Sequence, residues 1–106
     1  MIRRLKKRGY EVHFFYLWVP SVELALSRIR GRVLLGGHDV PAVDVRRRFD
    51  RSIRNFLVHY RPLADSWTLY DNTSALPRII ASEERGQLQV GEAKLYNDLA
   101  ERYGKP

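Results

Sequence analysis

The chain has 106 residues, 44% hydrophobic and 11% aromatic, which is enough for one domain with a single core and too few for a two-domain enzyme. Nineteen lysines and arginines against twelve acidic residues leave a net charge of +7, which calls for a polyanionic partner: nucleic acid, nucleotide phosphates or an acidic protein. Absence of cysteine excludes disulfides, thiolate metal sites and cysteine nucleophiles, and fits a reducing cytoplasm, where the chain is expected.

Residues 1–8 are predicted to be helical, with Gly9 as a C-terminal cap. A helix that begins at the initiator methionine with so little apolar face reads as the end of a longer one. The basic opening followed by "YEVHFFYLWVP" lacks a small-residue cleavage site, and Glu11 and His13 interrupt it, so a secretory signal is not expected. Residues 10–19, rich in aromatic and β-branched side chains, predict a strand buried on both faces, as in a parallel sheet. No apolar run reaches the roughly 18 residues that a membrane span needs, so no membrane partner is expected.

Ser21 can cap a helix carrying Val22, Ala25, Leu26, Ile29 and Val33 as one apolar stripe, ended by Gly36 and Gly37. A second helix is predicted from Pro41 to about Tyr60, with Val45, Phe49, Ile53, Phe56 and Tyr60 on its buried face. Strands follow over 66–72 and 78–84, Gly86 turns the chain into "QLQV", and a helix spans 92–103. This order resembles the last third of an α/β sheet protein. It reads as one partial domain over 1–106: helix end (1–9), strand and helix (10–35), hinge and lid helix (36–62), strands (66–90) and terminal helix (91–103).

The strongest chemical signal is "RVLLGGHDVPAVDVRRRFDRSIRN", which places five arginines within residues 46–54. On a helical wheel Arg47, Arg51 and Arg54 fall within about 60° of one another, opposite Phe49 and Ile53. Arg48, Ser52 and Asn55 lie on one flank, and Arg46 sits near the apolar border. Such a stripe repels itself unless an anion lies among the side chains, and Asp44 and Asp50 neutralise only part of it. A solvated face with local ion pairs is the bland alternative. Against it, every lysine-or-arginine position from Arg28 to Arg54 is arginine, whose planar fork suits bidentate phosphate recognition. Gly36, Gly37 and Pro41 form a candidate hinge ahead of that arm.

His38 alone reads as a turn or packing residue; beside the arginine helix it becomes a candidate contact to phosphate or base. The histidines at 13, 38 and 59 lack metal-clamping spacing, so no metal site is expected. The carboxylates form no paired constellation that spacing marks as catalytic, and none is named. Trp18, Trp67, Tyr16 and Tyr70 read first as sheet core and second as a base-stacking platform. No G-x-x-x-x-G-K-[ST] loop occurs in the 106 residues.

The motifs "RVLLGGHDVP", "RRRFDRSIRN" and "WTLYDN" together resemble the C-terminal part of the zeta-toxin-like P-loop ATPases or kinases, over roughly residues 6–82. That resemblance implies the C-terminal portion of a P-loop kinase-like α/β sheet with flanking helices and an arginine-rich helical lid. In the intact family a Walker A loop binds ATP with Mg²⁺, an acidic base acts on a substrate hydroxyl, and well-known members phosphorylate UDP-N-acetylglucosamine under the control of an antitoxin. It implies nucleotide-phosphate contacts at His38, Arg46, Arg47, Arg48 and Arg51, with Asn72 near the base. The Walker A loop and base lie outside the part that matches. No kinase activity of the chain alone is therefore expected, nor tight ATP or Mg²⁺ binding to it alone. Two further readings stay open. One is a basic nucleic-acid-binding module; the other is an interaction domain pairing with an antitoxin, a Walker-A-containing polypeptide or a second copy.

Overall fold

The computed structural model describes residues 2–37 and 41–105. Four short segments, β1 (His13–Trp18), β2 (Ser66–Asp71), β3 (Arg78–Glu84) and β4 (Gln87–Val90), form one open sheet in that order. β1 runs parallel to β2, and the other two pairs are antiparallel. A parallel pair needs a crossover, and the long connection between β1 and β2 supplies it with α2 (Val22–Leu34) and α3 (Ala42–Asn55). With α1 (Ile2–Lys7) and α4 (Ala93–Tyr103) these are the four α-helices among the described residues. The mixed α/β class expected from the sequence is the one observed.

Local chemistry explains most boundaries. Ser21 Oγ accepts the Leu24 N–H at 3.1 Å and caps α2. Gly36, at φ +93°, closes the same helix: its N–H donates to the Val33 carbonyl at 3.0 Å, and the Gly37 N–H reaches the Arg32 carbonyl at 2.8 Å. That is the paired-bond helix stop in which glycine tolerates the left-handed residue. Gly9 ends α1 in the same way, with its N–H on the Lys6 carbonyl and that of Tyr10 on Leu5. Arg85 and Gly86, both at positive φ, make the two-residue turn between β3 and β4.

α3, its continuation and α4 cover one face of the sheet. Ile53, Phe56 and Leu57 pack there against Trp67 and Leu69 of β2, Ile80 and Ala81 of β3, and Leu99 and Tyr103 of α4. Arg61 locks this layer: its guanidinium lies 5.2 Å from the Trp67 ring centroid and donates to the Tyr96 hydroxyl at 2.7 Å.

One expectation is corrected here. β1 is shorter than residues 10–19 and is not buried on both faces: among the described residues it is an edge strand with β2 as its one neighbour, and the core packs on the side of Phe14, Tyr16 and Trp18. Phe14, Tyr16 and Trp18 turn to the core, while His13, Phe15 and Leu17 face outward, with Phe15 68% and Leu17 56% exposed. The α2 stripe is also only partly covered: Leu26 is buried, whereas Val33 remains exposed.

The start of β1 is fixed to β2 across 53 positions of sequence. The Val12 N–H donates to Asp65 Oδ2 at 2.6 Å, the Asp65 N–H donates to the Val12 carbonyl at 2.7 Å, and Lys6 Nζ lies 3.4 Å from Asp65 Oδ1. The Val12 N–H first, and Lys6 second, hold the Asp65 carboxyl below its ordinary value of 3.8. A depressed folded pKa contributes stability that is present above the unfolded value and lost as pH falls through the folded one. Asp65→Asn is therefore expected to lower the urea midpoint at neutral pH, with the gap to the unsubstituted chain closing below the ordinary aspartate range. A gap that stays constant with pH would contradict this role.

Candidate functional site

β1's free edge and α3 enclose a cleft of about 660 Å³, lined by Phe14, Phe15 and Tyr16 from the strand and by Arg47, Arg48, Arg51, Ser52, Asn55, Phe56 and Tyr60 from the helical side. The helix phase explains this membership. Arg47, Arg48, Arg51, Ser52 and Asn55 share one side of α3, whereas Ile53 and Phe56 are buried in the core.

Beyond Asn55 the helix widens into a π-turn, Phe56–Tyr60, followed by a 3₁₀ turn, Arg61–Leu63. The expected helix thus reaches Tyr60, but its last turn is not α-helical. The wider turn brings both aromatic residues onto β1: Phe56 packs on Tyr16 with centroids 5.1 Å apart, and Tyr60 stacks on Phe14 at 5.5 Å. Tyr60 nonetheless stays 41% exposed at the cleft, so the cleft has an aromatic wall beside its guanidinium groups.

The charges are unevenly committed. Arg47 Nη2 lies 3.0 Å from Asp44 Oδ1, an exposed helical pair. Arg48 and Arg51 have no acidic side chain within 4.0 Å among the described residues. The Tyr16 hydroxyl donates to Ser52 Oγ at 2.9 Å, leaving the Ser52 proton available to a ligand. Burial pushes the Tyr16 hydroxyl above its ordinary value, so it stays a neutral donor. None of the lining residues is acidic, so the cleft suits phosphate oxygens and offers no carboxylate to hold Mg²⁺. Among the described residues no cluster of three histidine or acidic side chains could hold a metal ion.

Of the residues the sequence nominates, Arg47, Arg48 and Arg51 meet in this cleft. Arg46 points elsewhere, with Nη1 3.7 Å from Glu23 Oε1 of α2. Arg54, on the same stripe in the wheel, leaves it: its guanidinium sits 5.8 Å from the Tyr103 ring centroid, and Tyr103 donates to Asp50 at 2.9 Å. Asn72 lines a second depression with Arg28, Arg32, Leu17 and Ile29, while its N–H continues the β1–β2 ladder to the Trp18 carbonyl. His38 lies outside the described residues. Gly36 and Gly37 are engaged in the α2 stop, and Pro41 precedes α3 without a side-chain cap. Sequence reasoning missed Tyr60 and Phe14 as cleft residues. Ser52 and Asn55 were visible, as partners of Arg48 at spacings of four and seven.

Fold and cleft together define an α/β domain with an open mixed sheet and a cationic, aromatic-walled cleft along its edge strand. Comparisons with models of known families, with curated proteins and with solved structures find no match for the chain. No helix among the described residues is long and apolar enough to cross a membrane.

Proposed function

We propose that the chain is the arginine-bearing lid portion of a nucleotide-handling site of the zeta-toxin-like kinase kind, and that the cleft between α3 and β1 grips nucleotide phosphates. The convergence of Arg47, Arg48 and Arg51 with the Ser52 hydroxyl carries this reading. Guanidinium forks match phosphate oxygens in pairs, and a ligand of multiple negative charge relieves their mutual repulsion. The aromatic wall of Phe14, Tyr16 and Tyr60 favours a ligand that also carries a planar base over a bare anion.

Phosphoryl transfer needs a phosphate cradle, a metal and a base acting together. These 106 residues contain no Walker A loop, and the cleft is lined by no carboxylate. The chain alone therefore binds nucleotide weakly and without turning it over; the cradle belongs to a Walker-A-containing segment or polypeptide. Incubating the purified chain with ATP, Mg²⁺ and UDP-N-acetylglucosamine is expected to give neither ADP nor a phosphorylated sugar nucleotide. Metal-dependent turnover that disappears in Arg48→Ala would overturn this division of labour.

A further inference from the structure

Among the described residues, β1 is an edge strand with no strand paired on its outer side. Val12 and Trp18 turn their carbonyls toward β2, where the N–H groups of Asp65 and Asn72 take them up. By strand alternation Phe14 and Tyr16 do the same, so His13, Phe15 and Leu17 direct their N–H and C=O groups to the open side. The segment "HFFYLW" contains no proline, no lysine and no bulge, the features that normally blunt an edge.

The two sides of this edge differ chemically. On the face of the sheet opposite the α3–α4 core, Phe15 stacks on Tyr70 with centroids 6.5 Å apart, and Leu17 and Ile79, each at least half exposed, lie on the same face. On the other side the edge opens into the cleft rimmed by Arg47, Arg48 and Arg51. A strand added here would have to alternate in the same way, with apolar side chains beside Phe15 and Leu17 and anionic ones beneath α3.

The geometry points to β1 as the acceptor for an extended segment of a partner protein in which apolar and acidic residues alternate, its carboxylates seated on Arg47, Arg48 and Arg51. Main-chain bonds to His13, Phe15 and Leu17 supply affinity, and charge complementarity fixes which face of the partner strand turns to α3. If the cleft also grips nucleotides, as proposed above, the acidic strand and the phosphates exclude each other, and the partner acts as an inhibitor.

A fluorescein-labelled decapeptide of alternating valine and glutamate tests this on the full chain, with a valine–lysine peptide as control, by anisotropy at about 50 mM salt. The acidic peptide is expected to bind, the basic one not, and ATP to displace the bound peptide. Phe15→Pro is expected to weaken binding at least about tenfold beyond Phe15→Ala, because proline at an edge position removes an outward N–H and leaves the β1–β2 ladder intact. Hydrogen exchange gives a second readout that needs no variant: the amides of His13, Phe15 and Leu17 should slow on adding the acidic peptide. Equal binding of both peptides, binding of neither, unchanged exchange at these amides, or their protection by self-association of the chain would overturn the proposal. A chain that binds ATP and refuses the peptide overturns the docking alone; one that binds the peptide and refuses ATP overturns the nucleotide reading alone.

Discussion

Replacing Arg48 and Arg51 together with alanine is expected to weaken ATP binding by about a hundredfold, each guanidinium contributing roughly tenfold through charge-assisted hydrogen bonds in a solvent-open cleft. Both lack an acidic partner among the described residues, unlike Arg47 beside Asp44. Their removal should hardly change stability, because neither contributes to the core. Arg54→Ala separates this from a general charge effect. Its guanidinium lies over Tyr103 and not in the cleft, so it should leave ATP affinity within about twofold and act on stability instead. Quenching of the intrinsic aromatic fluorescence by ATP gives the affinities. Equal losses in Arg54→Ala and in the double variant would show attraction to net charge with no localised site.

Leu69→Ala should have the largest effect on the fold, about 2–5 kcal/mol. Leu69 is 0% exposed, sits in the second strand of the sheet opposite Tyr16 and Ala81, and belongs to the core shared by α3, the π-turn and α4. Truncation leaves a cavity between layers already fixed by neighbouring large side chains, and the cost is a large fraction of the roughly 5–15 kcal/mol that a domain has in all. Leu34→Ala, at a position 87% exposed, should change stability by no more than about 0.5 kcal/mol. Urea denaturation reads both, as a midpoint shift at constant slope. A Leu69→Ala loss under about 1 kcal/mol would mean that the layers collapse to fill the space, and that the core is looser than its burial indicates.

Local chemistry made much of this fold legible. Ser21, Gly9, Gly36 and Gly86 sit where capping and turn preferences put them, and β3 covers the residues expected for it; Arg85, a non-glycine residue at positive φ, was not expected from them. The apolar run of β1 was the misleading signal. Apolar side chains on both sides of a strand predict burial on both faces, but Phe15 and Leu17 are exposed because they lie at the sheet's edge on the face opposite the core packed by α3 and α4. The tie between Val12 and Asp65 was equally hidden, since it joins residues 53 apart and depends on β1–β2 register.

The site was legible in part for the same reason. Arg47, Arg48 and Arg51 share a helical face, and period alone brings them together. Arg54 lies only a little further round the helix, and α4 claims it through Tyr103, a contact that no helical wheel contains. Tyr60 was out of reach because the π-turn changes the phase on which the wheel depends.

Recognition of nucleotide phosphates by the α3–β1 cleft is decided by calorimetric titration of the chain with AMP, ADP and ATP. Saturable one-to-one binding that tightens with each added phosphate and weakens as salt rises is the expected result. No saturable heat for any of the three, or one affinity shared by AMP and ATP, would contradict it.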